Sequence, residues 1–406
     1  MGYGHLRPAY TLADALGAEV TRLDAHPAAG AMEKALWKTA NTAYSCISRA
    51  CDQPAAQWLA SPILDAITKI EPMQSRPQSA SLMAHFADRL SGTVIGRRFR
   101  KMAAGSLIVA TYPVAALAAR HAKDSRVFCL ATDTDLSRAW AAADPAQSNI
   151  VYFAPTERAA ARLRSFGVPH RDVHLTGFPL PEKLVSQASA ALARRLLRLD
   201  PQLNFCRQNR DARALIPQSS EASLNQPISM MVAIGGAGAQ TRQAGQITQS
   251  LRHWILEDKL RLTLVAGVRH DVASALKKMI AAIGLEERLG RGIDILLADA
   301  LPEYFKKFDD CLNNADVVWT KPSELVFYAS LGAPLLLAKP LGAQEHANRN
   351  WLLSEGAAID AGEPALLADR LEQLLATGEL CQAAWNAFSR LRRDGSERIR
   401  EIIATR

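Results

Sequence analysis

Two doubly wound, Rossmann-like α/β domains are what this 406-residue chain predicts, and three observations carry the prediction. Short β-rich runs alternate with helical patterns, which argues for parallel sheets covered on both faces. The alternation breaks down near the middle of the chain and then restarts with cleaner signals. The length exceeds what a single hydrophobic core organises.

Taken in order, Pro8 to Leu16 reads as a helix behind a glycine turn, Gly2-Tyr-Gly4. Such a turn ordinarily follows a buried strand, and only Met1 precedes this one. The first domain therefore lacks its central strand or the natural start lies upstream, and the second is our expectation. Ser106–Ala110, Arg126–Ala131 and Asn149–Ala154 read as strands, followed by His174–Pro179, with a helix from Glu157 to Phe166. Met102 to Ala119 carries no charge and just reaches the length of a membrane span. Gly105, Ser106, Thr111, Tyr112 and Pro113 interrupt it, so it reads as a buried strand followed by a helix from Val114 to Ala122.

Residues 1–181 form the first domain in this reading, and 182–226 an inter-domain connection that contains the basic amphipathic helix Ala191–Leu199. The second domain, 227–380, restarts with the strand Ile228–Ile234 and the helix Gln240–Leu256. Strands follow at Leu262–Ala266, Ile293–Leu297, Ala315–Trp319 and Pro334–Ala338. Helices over 381–406 are expected to pack back on the first domain, and a ligand cleft between the domains is expected.

The chain holds 48 basic and 40 acidic residues, a net charge of +8. That excess fits anionic partners such as nucleotide phosphates or an anionic membrane surface. No nucleic-acid-binding module is recognisable, so nucleic acid is not expected as a partner. Cys46, Cys51, Cys129, Cys206, Cys311 and Cys381 are scattered without a CxxC pair, and the opening residues do not read as a signal peptide. Both point to a cytoplasmic protein. His170 and His174 straddle a turn and a strand, which argues against a zinc site.

Two groups of residues carry chemistry. Gly235-Gly-Ala-Gly-Ala-Gln240 joins a strand to a helix start, where backbone N–H groups and the helix dipole favour an anion. Gly235, Gly236, Gly238 and Gln240 are its candidate phosphate contacts. Thr241 stands where a dinucleotide fingerprint needs its third glycine, which argues against NAD and FAD. Lys321, Ser323 and Glu324 follow a strand on the carboxyl edge, where open α/β sheets bind ligands. Gln344, Glu345 and Asn348 supply the mixed donors and acceptors that a sugar needs. The competing reading makes Ser323 or Glu324 a helix cap.

From Trp319-Thr-Lys-Pro322 through Gly342-Ala-Gln-Glu345 and Asn348, the chain resembles the donor site of the MurG and monogalactosyldiacylglycerol synthase glycosyltransferases. Gly2-Tyr-Gly-His5 is similar to their N-terminal glycine loop. Tyr152–Glu157, Gly167-Val-Pro169 and Thr176-Gly-Phe-Pro179 match the closing run of their first domain. The resemblance implies the GT-B fold, with two domains facing a cleft, and a nucleotide sugar, a UDP-sugar, as donor substrate. It also implies an inverting transfer without metal or other cofactor, to a lipid or lipid-linked acceptor reached from the cytoplasmic side.

By position His5 is the candidate general base; Gly4 and Arg7 beside it, and Asp135, read from the residues as lining the cleft after Val127–Ala131, are placed on the acceptor side. Asp133 is a second base candidate, read from the residues themselves. One departure stands out: the family's ribose-binding glutamate falls here on Phe327, while the available acid is Glu324. The basic run Arg97–Lys101, with Leu90, Val94 and Ile95, suits peripheral contact with anionic lipid. A hydrolysing UDP-GlcNAc epimerase and a non-catalytic nucleotide-sugar-binding protein are the alternatives.

Overall fold

The computed structural model describes residues 2–26, 30–51, 54–73, 88, 97–216, 226–233 and 241–406. The chain divides into two units, each an α/β structure on a parallel sheet, as the sequence and the GT-B resemblance imply. The first comprises 1–181, 341–348 and 392–406; the second comprises 182–340 and 349–391.

In the first unit, β1 (Leu107–Ala110), β2 (Arg126–Leu130), β3 (Ile150–Ala154) and β4 (Val173–Leu175) form a sheet in that order. Every pairing is parallel. The strands are apolar on both sides because helices cover both faces. With a side-chain period of two, Val127, Cys129 and Tyr152 join Leu117 and Leu163 in one core. Phe128, Leu130 and Phe153 turn to the other face and meet Leu12, Ile399 and Ile403. The Phe128 and Phe153 rings stack there at 5.3 Å.

The opening residues depart from the expected loop. The first helix spans Tyr3–Leu16 with Gly2 as its N-cap, so Gly4 and His5 lie in its first turn. The uncharged stretch resolves into a helix end, β1 and a helix at Pro113–Ala119. Among the described residues no helix is long and apolar enough to cross a membrane.

The C-terminal helix Gly395–Thr405 docks on the first unit through Ile399 and Ile403. Its entry requires glycine: a Cβ at position 395 would lie 2.3 Å from the Phe178 carbonyl oxygen. Ser396 Oγ donates to the Leu180 carbonyl at 3.0 Å beside it. Gly395→Ala must therefore push backbone from backbone, at a cost of about 2–3 kcal/mol. The expected result is a lowered thermal midpoint with faster proteolysis within 395–406. An unchanged midpoint would show that the contact yields freely.

In the second unit the strands are β5 (Ile228–Ala233), β6 (Leu260–Gly267), β7 (Ile293–Leu297), β8 (Val317–Thr320), β9 (Leu335–Leu337) and β10 (Ala358–Asp360). Their order is β10-β9-β8-β5-β6-β7, and all pairings are parallel. The chain starts at β5, winds outward to β7, returns to place β8 beside β5, and winds out the other way. This is the doubly wound pattern, with its switch point between β5 and β8.

The helix read as part of a connection belongs instead to this unit. It spans Glu182–Leu199, and Leu192, Leu196 and Leu199 enter the main core. Its basic residues mimic a solvated face in sequence, yet Arg195 is only 1% exposed. The guanidinium donates to the carbonyls of Ala315, Leu331 and Leu312 at 2.8, 2.9 and 2.8 Å. Residues 381–391 also pack with the second unit; only 392–406 return to the first.

Candidate functional site

The carboxyl edge of the first unit's sheet gathers its chemistry-bearing residues. Thr111 and Tyr112 follow β1, and Thr132 to Asp135 follow β2, because apolar strand runs give way there to polar turns. His5, from the first helical turn, is held against this edge. Its Nδ1 lies 2.8 Å from the Thr111 carbonyl oxygen and 3.1 Å from Thr132 Oγ1. Thr111 Oγ1 donates back to the His5 carbonyl at 2.7 Å. A carbonyl oxygen only accepts, so Nδ1 carries the proton and Nε2 carries the lone pair. The Tyr112 ring sits edge-on at 4.8 Å and Trp140 at 6.3 Å. Burial lowers the His5 pKa to about 4, more than the Thr111 hydrogen bond raises it. At neutral pH the imidazole is therefore an uncharged proton acceptor.

Asn348 and Asp133 meet one another. Asn348 is fully buried, and its Oδ1 accepts from Thr134 N at 2.9 Å and Thr134 Oγ1 at 2.8 Å. Its Nδ2 donates to Asp133 Oδ1 at 3.1 Å. The carboxamide expected to grip a sugar thus anchors residues 341–348 to the loop after β2, which corrects its donor-binding assignment. Asp133 shares that contact, so one of its oxygens is already engaged.

Asp135 is corrected too. It is 1% exposed, and its oxygens accept from Arg162 Nε, Arg162 Nη2, Arg158 Nε and Leu136 N. Burial raises its pKa, but the bonds from Arg162 and Arg158 overcome that and leave it lowered. An ionised carboxylate bearing these four donors tethers the loop after β2 to the Glu157–Ser165 helix. It does not face an acceptor, and the Asp133-Thr-Asp135 pattern is not a pair of free carboxylates. Among the described residues no group of three or more His, Cys, Asp or Glu side chains is placed to hold a metal. Arg7 is likewise buried, at 2% exposure, rather than presented on the acceptor side; Gly4 is half-buried.

Residues 341–348 begin the helix Gly342–Ser354. Glu345 Oε2 accepts from the Leu341 N–H at 2.7 Å, a helix-start role beside any sugar contact. Thr68 Oγ1 accepts from the Ala343 N–H at 3.1 Å. Gly342 has φ +76°, and a Cβ there would stand 2.7 Å from Thr68 Oγ1. Gln344 is half-buried and shares a helix face with Asn348, four residues on.

In the second unit the switch point opens at the carboxyl ends of β5 and β8, where Ala233 pairs with Thr320. Ligands of open α/β sheets bind at such a crevice. Lys321, Ser323 and Glu324 follow β8 there. Glu324 is the N-cap residue of the short helix Leu325–Tyr328 but makes no side-chain capping bond. Gly235, Gly236, Gly238 and Gln240 follow β5 and lie outside the described residues. Phe327, at the family's glutamate position, is buried against Trp351 with ring centroids 5.6 Å apart. It belongs to the core.

Sequence reasoning missed Thr111, Thr132 and Thr134. Each directly follows a strand or lies in the loop behind one, which was the available signal. Their partners, however, lie 106, 127 and 214 residues away.

No family model matches the chain. It is similar to the processive diacylglycerol beta-glucosyltransferase of Bacillus subtilis (strain 168), with 21% identity over 276 residues. The match covers 66% of this chain and 60% of that protein, less than two thirds of the relative's length. Among solved structures, UDP-GlcNAc 2-epimerase from Neisseria meningitidis bound to UDP-GlcNAc aligns with a TM-score of 0.48 and 13% identity. That alignment covers 83% of this chain and 84% of that one. A glycosyltransferase from Rickettsia africae ESF-5 aligns with a TM-score of 0.42 and 12% identity, covering 85% and 86%. By sequence, then, the chain resembles glycosyltransferases of the monogalactosyldiacylglycerol synthase and MurG type.

Proposed function

We propose that this protein transfers a hexose from a UDP-sugar to a hydroxyl of a membrane lipid or lipid-linked sugar, with inversion and without a metal. The observation that carries the reading is the coincidence of fold and motif in the second unit. Among the described residues the sheet has a topological switch point between β5 and β8, and in sequence the Gly235–Gln240 motif and Lys321–Glu324 follow those two strands. In this reading the Gly235–Gln240 motif is the candidate diphosphate contact, and Gln344 and Glu345 are the candidate sugar contacts. His5 Nε2 takes the proton of the acceptor hydroxyl as its oxygen bonds to the anomeric carbon. The bond from that carbon to the diphosphate breaks, and UDP leaves with the electron pair.

Sequence similarity to a diacylglycerol glucosyltransferase supports the lipid acceptor. So does an exposed apolar set on the helices Ala31–Cys51 and Pro54–Ile67, where Leu36, Trp58 and Ile63 are 43%, 70% and 50% exposed. Lys34, Lys38 and Lys69 are exposed on or beside the same helices, a composition suited to the surface of an anionic bilayer.

A UDP-release screen of donor sugars, with and without diacylglycerol-containing vesicles, tests the reading. The expected result is UDP release with one donor that rises at least about tenfold when lipid is added, with a glycolipid product. UDP-GlcNAc consumed equally without acceptor, with an epimerised sugar, would replace the transferase by an epimerase. Absence of nucleotide-sugar binding by calorimetry would remove the enzyme reading altogether.

A further inference from the structure

The His5 imidazole is gripped at Nδ1 by two oxygens, neither of them charged. The Thr111 carbonyl at 2.8 Å dictates that Nδ1 bears the proton. The second oxygen, Thr132 Oγ1 at 3.1 Å, then accepts the other half of a shared N–H bond. Thr132 is 3% exposed, so its rotamer is set by packing. One acceptor constrains the direction of a single N–H; two constrain the rotation of the ring about its Cβ bond. The nearest acid in sequence, Asp133, turns an oxygen to Asn348.

We propose that Thr132 is a positioning residue for His5: with the Thr111 carbonyl it holds the proton on Nδ1, fixes the ring and keeps Nε2 as the proton acceptor. The proposal deepens the transferase reading and rests on it for its kinetic part only. Thr132 touches no reacting atom. Its hydroxyl accepts the Nδ1–H before and after Nε2 is protonated, and the donated bond strengthens as the ring becomes cationic. An alcohol serves here where a carboxylate would raise the imidazole pKa and leave the base protonated near neutrality. Partners behind a metal-bound histidine typically cost about 10–100-fold in affinity or activity when removed, and the lower end of that range is expected for a histidine held without a metal.

The test uses the full-length protein with ring-15N histidine, the His5 signal among nine histidines being assigned from its loss in His5→Asn. In the parent protein His5 is expected to show a single Nδ1-protonated tautomer at pH 7. In Thr132→Val, which keeps the shape and removes the second oxygen but leaves the Thr111 carbonyl, the His5 ring signals should broaden or shift as the ring loses its fixed rotation. The kcat should fall about tenfold with the donor KM changed less than about twofold. Thr132→Ser should restore both. An unaltered His5 spectrum in Thr132→Val would overturn the proposal, as would a Thr132→Ser variant as impaired as Val. If the spectrum responds as expected while His5→Asn remains fully active, the positioning of the ring stands and the assignment of His5 as base fails.

Discussion

His5→Asn is expected to lower kcat on the order of a hundredfold or more, while donor affinity stays within about twofold of the parent. Asparagine is the informative replacement because its amide N–H can occupy the place of Nδ1–H against the Thr111 carbonyl, whereas nothing takes the place of Nε2. The packing of the first helical turn is thereby kept and the proton acceptor alone removed. His5→Ala should lose the same activity and some stability as well. The pH dependence follows from the pKa, lowered to about 4 by burial. Because His5 stays unprotonated down to that pH, the acid limb of kcat/KM set by this group should fall near pH 4 rather than 6.5. The sign for stability is fixed in the same way. Between pH 6.5 and 4 the unfolded chain binds this proton and the folded chain does not, so the group costs stability as the pH falls through that window and nothing above it. Near-parental kcat in His5→Asn would remove His5 as the base. An acid limb that stayed in place in that variant would assign it to another group.

Most of the architecture is legible from the chain itself, because parallel strands buried on both faces must be apolar along their whole length. Arg126–Ala131, Asn149–Ala154 and Ile293–Leu297 were readable within a residue or so for that reason. β10, three residues long at Ala358–Asp360, has too little pattern to be seen. The site was legible by residue type but not by role. Asn348 has the donors and acceptors of a sugar ligand, and only the positions of Thr134 and Asp133, 214 and 215 residues earlier, show that its oxygen and its N–H are already engaged. Asp135 resembles half of an acidic motif until Arg158 and Arg162 are placed against it. His5 is singled out by the resemblance of Gly2-Tyr-Gly-His5 to the family's N-terminal glycine loop. The threonines that define its tautomer are common residues, and no local pattern marks them.

Arg195→Met is expected to destabilise the second unit by about 3–5 kcal/mol, the largest effect foreseen for a residue outside the reaction. The guanidinium lies at the C-terminal end of the helix Leu301–Asn314, whose last carbonyls have no partner within the helix. Its nitrogens donate to Leu312, Ala315 and Leu331, and Nη2 also reaches Asn313 at 3.3 Å. Methionine keeps most of the apolar stem and deletes every donor. Asn313 retains a bond from Arg194, so three buried carbonyls are left without one, each costing about 1–3 kcal/mol. Relief of the buried charge offsets part of that sum. Burial pulls the Arg195 pKa down to about 9, which still leaves the group protonated at pH 7. Arg195→Lys should recover little, because one ammonium cannot span carbonyls that the planar guanidinium fork reaches on three sides. Hydrogen exchange is the direct readout. The amides of 311–320 should exchange about a hundred- to a few thousandfold faster in the variant, in line with the lost stability, while those of β2 and β3 in the first unit hold their protection. Exchange in 311–320 that matched the parent would show that the carbonyls find water or other donors, and that the basic face of the Glu182–Leu199 helix contributes little to the core it enters.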